Sequence, residues 1–141
     1  MGQLSAGRRL KPGLVVDTHA ALWYLADDPA LSVRAAAALD AITIAGRPIY
    51  VPAICVVEAI YLAEKGRIPG TALERLLRAL EEPNPRSVLA PLDRIVAIAV
   101  RGVARADVPD LPDRVIAATA AALSAHHQGR RVRATNLETL W

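Results

Sequence analysis

The chain holds 141 residues, 53% of them hydrophobic and only 4% aromatic, with a formal charge of +3. That length fits a single domain with a core of Ala, Leu, Val and Ile, and the lone cysteine excludes an internal disulfide framework. Arg8, Arg9 and Lys11, with no acid among residues 1–11, account for the whole charge excess, so the neutral body carries no general signal of nucleic-acid binding.

In chain order, residues 1–12 read as a flexible basic tail and residues 13–141 as one domain. No apolar stretch precedes Gly13, so no signal peptide is expected. Gly2 is not a myristoylation start, because Ala6 stands where Ser or Thr is required. LVVD (14–17) predicts a short buried strand and THAALWYLA a helix, with Thr18 near its cap. Ser32 is the N-cap of a helix over 32–42, and PIYVP (48–52) is a second strand between prolines. AICVVEAIYLAEK (53–65) is apolar on most faces and is followed by Gly66, which predicts a largely buried helix with a glycine C-cap. Cys55 lies inside that run and reads as a buried core thiol in a reducing compartment.

Thr71 and Glu74 form a T-x-x-E capping box for a helix through Leu80. SVLAP (87–91) is a third strand, and LDRIVAIAVRGVARA a helix. DLP leads into a last helix with Pro112 in its first turn, and VRAT (132–135) predicts a final strand. Short strands separated by helices imply an α/β fold with a parallel sheet covered on both faces. No run is long enough to cross a bilayer, so a cytoplasmic protein without a membrane partner is expected.

Three carboxylates sit awkwardly in this scheme. Asp17 closes the first apolar run, Glu58 interrupts AICVV and AIYLA, and Asp113 opens RVIAATAAAL. An ionised carboxylate in a core segment is costly to desolvate without compensation. Two have a plain explanation: Asp17 caps a helix, and Asp113 favours the positive end of a helix dipole. Glu58 has none as simple, because a wet stripe shared with Lys65 would be mostly apolar at Tyr61 and Leu62. A shared divalent cation satisfies all three together, beyond the carboxyl ends of the strands where α/β sites form. An all-oxygen donor set selects Mg²⁺ or Mn²⁺, and no Cys/His spacing competes. His126 and His127 read as a solvated helix end, and His19 as packing or surface. Arg130, Arg131 and Arg133 lie against Asp107, Asp110 and Asp113 in the charge pattern. That suits a cation site facing a phosphate chain, or is scattered surface charge.

VVDTHAALWYLADDPALS, a strand and helix carrying Glu58, and DLPDRVIAATA, in that order, resemble the PIN-domain ribonucleases, in particular the VapC-type toxins of toxin–antitoxin pairs. The resemblance runs from about Leu14 to Trp141. It implies a PIN-like α/β/α sandwich with a mainly parallel sheet and a Mg²⁺-dependent (or Mn²⁺-dependent) endoribonuclease of a type II toxin–antitoxin system. An RNA substrate, a VapB-like antitoxin and a homodimer come with it. Asp17, Glu58 and Asp113 match the first three metal-binding, catalytic acids of that family.

At the C-terminus the pattern departs. VRATNLETLW puts Asn136 where an aspartate is common, with Glu138 nearby, and Asp110 is a further supplementary ligand through water. Bound Mg²⁺ would acidify a water for in-line attack on phosphorus, without a protein nucleophile. Arg114, Arg130, Arg131 and Arg133 are candidate RNA-backbone contacts, with Arg114 alternatively a surface partner of Asp110. A haloacid-dehalogenase-like phosphatase would need a second Asp where His19 stands. The other alternative is a silent PIN-like module that binds RNA or an antitoxin without cleaving.

Overall fold

Residues 12–83 and 86–126 are described by the computed structural model. Strands β1 (Leu14–Val15), β2 (Ile49–Pro52) and β3 (Ser87–Ala90) form a parallel sheet in the order β1-β2-β3. Leu14 pairs with Ile49 and Val15 with Tyr50, and β3 lies against β2 from Ile49↔Ser87 to Pro52↔Ala90. Parallel neighbours require crossovers. Helices α1 (Thr18–Leu25) and α2 (Val33–Ile44) supply the first, and α3 (Ala53–Glu64) and α4 (Gly70–Glu81) the second. After β3 come α5 (Arg94–Ala99), a 3-10 turn over Val100–Gly102 and α6 (Leu111–His126). The α/β class with a parallel sheet flanked by helices is therefore the one expected. The predicted last strand, 132–135, lies outside the described residues.

The core joins the sheet to its helices. Val16, Leu39, Cys55, Ala59 and Leu76 are fully buried, with Val15, Ile49, Tyr50, Val51 and Ile116 close to it. β1 and β2 approach so tightly at Gly13 that a Cβ there would stand 2.0 Å from the Pro48 carbonyl oxygen. Ser32 caps α2 as predicted, its Oγ accepting from Ala35 N at 3.1 Å. Gly66 takes φ +70 just beyond α3, and the N–H groups of Gly66 and Arg67 return to the carbonyls of Ala63 and Leu62. Asp27 makes the same turn after α1 at φ 52, without glycine.

Three sequence expectations need correction. The helix over 53–65 is not largely buried: α3 buries only Cys55 and Ala59 and leaves Val57, Ile60 and Tyr61 exposed. The Thr71–Glu74 capping box is not formed: α4 starts at Gly70, after Pro69, and no side chain caps it. Pro69 fixes its own φ and sets the first turn, which leaves Thr71 inside the helix. The long helix predicted over 92–106 is cut short. Asp93 caps it through Val96 N, regular helix ends at Ala99, and Gly102 closes the 3-10 turn. The reason lies in α6, where Arg114 donates to the carbonyls of Val100 and Val103, at 3.1 and 2.9 Å, and so terminates the segment.

Candidate metal and nuclease site

Asp17 sits between β1 and α1 in extended conformation, half-buried, and its Oδ1 accepts from Ala20 N at 2.8 Å. It is thus the N-cap of α1, as the plainer reading has it, but capping engages only one carboxylate oxygen. β2 runs into α3 without a loop, so Glu58 stands in the second turn beyond a strand's carboxyl end. It is half-buried, and its Oε1 accepts from the Thr18 hydroxyl at 2.7 Å. Lys65, the sequence-level alternative partner of Glu58, places its Nζ 5.1 Å from the centre of the Tyr61 ring instead.

Asp113 lies in the exposed first turn of α6. Asp110 precedes that helix, its Oδ2 accepting from Asp113 N at 3.2 Å and its carbonyl from Arg114 N. Asp110 is therefore a helix cap beside Asp113. Arg114, expected to hold RNA or to pair with Asp110, turns inward to Val100 and Val103. Its Nε is buried without a hydrogen-bond partner among the described residues. Asn136, Glu138, Arg130, Arg131, Arg133 and His127 lie outside the described residues. His19 is exposed, its ring 5.3 Å from that of Trp23.

Electrostatics joins the three acids across the fold. Burial pushes the Asp17 carboxyl above its ordinary value; the Ala20 N–H and His19 work against this, while Asp113 and Glu58 add to it. Partial burial raises Asp113 as well, helped by Asp110. Cys55 records the same convergence. Burial first, then Glu58, Asp17 and Asp113, push its thiol up to about 12 against an interaction with the Thr18 side chain. Its Sγ points to the Val16 carbonyl at 3.8 Å, so Cys55 is the expected buried core thiol, one turn before Glu58 on α3.

Thr18 is the residue that sequence reasoning missed. Its partner is 40 positions away, and the local signal placed it only near a helix cap. The one clue was that Asp17 already fills the capping position, which leaves the next hydroxyl unemployed.

As a donor set the acids suit a hard cation: all are oxygen ligands, and like charges act on one another. They do not close a shell by themselves, because among the described residues no three His, Cys, Asp or Glu side chains are close enough to hold an ion. An open groove of about 710 Å³ runs along α4 and the end of α1, lined by Leu25, Glu74, Arg75 and Arg78 among others, and none of the acids lines it. No helix among the described residues is long and apolar enough to cross a membrane. The family model described as PIN domain matches residues 14–129. No curated protein and no solved structure gave a significant match.

Proposed function

The chain belongs to the PIN domain family, whose members are generally nucleases and typically use divalent metal ions, and from that premise we propose that it is a Mg²⁺-dependent endoribonuclease of the VapC type. The observation that supports this reading is the Thr18 hydroxyl, which ties Glu58 on α3 at 2.7 Å to the β1–α1 corner where Asp17 stands. Asp113, opening α6, is the third acid and comes from a separate element. Such groups cluster at sites more readily than in frameworks.

Mg²⁺ asks for few protein ligands. Mg²⁺ keeps several waters and takes one or two carboxylates plus substrate phosphate oxygens. When bound, it supplies an acidified water and neutralises phosphate charge. The chain's own residues do the placing. Asp17 is held through Oδ1 by Ala20 N, which leaves Oδ2 for the ligand, and Glu58 is held through Oε1 by Thr18, which leaves Oε2. Asp113 brings a third charge from the first turn of α6. Asn136 and Glu138 complete the ligand set, and Arg130, Arg131 and Arg133 hold the RNA backbone.

The test is RNA cleavage by the purified full chain in Mg²⁺, Mn²⁺ and EDTA. Cutting that ignores EDTA or survives Asp17→Asn defeats the reading. A silent RNA-binding module is the second reading, favoured by Asn136 standing where an acid is common. It requires RNA binding without cutting in any metal.

We further propose a toxin role in the cytoplasm, with a VapB-like antitoxin and a second copy of the chain as partners. Co-expression with the product of a small upstream reading frame should abolish cleavage. For the dimer, the supporting feature is the exposed apolar stripe of Val57, Ile60 and Tyr61 on α3, with Ile95 and Ile98 on α5. Light scattering on Ile60→Asp should report a monomer where the wild type is a dimer.

A further inference from the structure

Rings are scarce in this chain, which has two tryptophans, three tyrosines and no phenylalanine. Among the described residues most are already employed. Tyr50 is buried, Tyr24 donates to Asp40 on α2, and Tyr61 carries the Lys65 ammonium group on α3. The ring pair left over is on α1. Trp23 packs against the core, and the His19 ring stands 5.3 Å from it at a tilt of 48°, within the usual geometry of aromatic pairs. His19 itself is exposed and makes no hydrogen bond among the described residues.

That ring has a rigid support and stands beside an acid. Ala20, Ala21 and Leu22 bury the inner face of α1, and the Asp17 cap holds its first turn. His19 follows Asp17 by two residues and draws that carboxyl down, so the two groups share one corner. The arginines proposed for the RNA contact its backbone, and phosphate contacts do not read a base. A flat ring, open to water on a packed helix, is a stacking surface that loses little conformational freedom when it is used. Every nucleobase has a π-face, but only an unpaired one can present it to a side chain.

We propose that His19, backed by Trp23, stacks on an unpaired nucleobase of the RNA beside Asp17. The proposal rests on the nuclease reading above and adds the base contact which that reading lacks. Stacking tolerates any base, so the contact selects unpaired RNA over duplex rather than one sequence over another. An i, i+4 pair that serves only the surface of α1 is the competing account.

The experiment removes the ring and the base separately. Binding of end-labelled RNA to the full chain is read by fluorescence anisotropy in EDTA, with thermal melts alongside. His19→Ala should bind intact single-stranded RNA roughly 5- to 100-fold more weakly than wild type, the span that one lost stacking side chain produces. His19→Tyr, which keeps a ring, should stay within about threefold. An abasic strand of equal charge should bind wild type more weakly by the same factor and be indifferent to His19→Ala, and a duplex should behave as the abasic strand does. Where binding without metal is too weak to read, the KM for cleavage in Mg²⁺ takes its place. Equal losses on intact and abasic strands overturn the proposal, because they make His19 a backbone contact. No loss on either overturns it too, and a lower melting temperature alone assigns the pair to α1. Three outcomes separate the proposal from its premise. A wild type that neither binds nor cuts any RNA takes the nuclease reading down with it. Cutting that His19→Ala leaves unchanged in rate and KM removes the stacking contact and spares the nuclease. Binding that shows the expected losses, without cutting in any metal, upholds the contact and defeats the nuclease.

Discussion

Asp17 and Glu58 stand on the β1–α1 corner and α3, above Val16, Cys55 and Ala59, none of which has any exposed surface. Asp113 stands on an exposed first turn of α6, with the capping Asp110 before it and Arg114 behind it. The corner takes its geometry from packing and from one hydrogen bond between side chains far apart in sequence. The α6 turn takes its geometry from backbone: a cap at one side, and at the other a guanidinium clasping the carbonyls that end the 3-10 turn. The acids of the proposed site are thus divided, one part held rigid by the core and another tied down by a few replaceable contacts. Close packing resists small changes of volume, whereas a clasp fails when one donor is removed.

The strongest break in that comparison comes at the corner. If the proposed metal-nuclease reading holds, Asp17→Asn should reduce RNA cleavage by on the order of a hundredfold or more, since an amide keeps the shape and loses the charge proposed to bind metal. Asparagine caps a helix as well as aspartate does, so the fold should be spared; Asp17→Ala should lose about 1 kcal/mol in addition. Cleavage rates and urea melts on the two variants separate ligand from cap. Gly13→Ala tests the packing below. Its Cβ would meet the Pro48 oxygen at 2.0 Å, so β1 must shift, at a cost of up to about 3 kcal/mol.

At the other region, Arg114→Met should destabilise by roughly 2 kcal/mol, because it strips a charged donor from two carbonyls. The same variant decides between the two employments of Arg114. A residue that contacted phosphate would, when removed, flatten the salt dependence of RNA binding by about one unit of slope. A clasp that positions α6 leaves the slope unchanged and shows itself in the urea midpoint.

Much of this is legible in the sequence. Apolar runs bounded by Pro48 and Pro52 or by Gly66 marked strand and helix, because local chemistry alone sets those boundaries. Glu58 stood out because its neighbours in sequence are apolar and no local cation answers it. The failures have a common origin in competition or distance. The T-x-x-E pattern at Thr71 lost to Pro69, which starts the helix two residues earlier. The end of α5 is set by Arg114, 14 residues beyond Val100, and apolar periodicity carries no trace of it. Thr18 and Glu58 meet only because β1 pairs with β2, and no property of either segment announces the pair.

The smallest expected effect is on stability against pH, and its sign discriminates between a cap and a ligand. In the metal-free chain Asp17 is raised above its ordinary 3.8 by burial, Asp113 and Glu58, against Ala20 N–H and His19. Asp113 is raised by partial burial and Asp110. A carboxyl raised on folding binds its proton more tightly in the folded state. Its contribution to stability is therefore fully present below the unfolded value and is lost as pH rises through the folded one. At neutral pH both charges then oppose folding. In EDTA, Asp17→Asn should melt above wild type at neutral pH, and the gap should close as the pH falls toward 3.8. Asp113→Asn should show the same trend more weakly, since water screens its exposed turn. Saturating Mg²⁺ should reverse the order, because a cation that binds only the folded state lifts wild type alone. If wild type instead melts above Asp17→Asn in EDTA at neutral pH, the charged cap outweighs burial, and the corner is built for the helix before it is built for a metal.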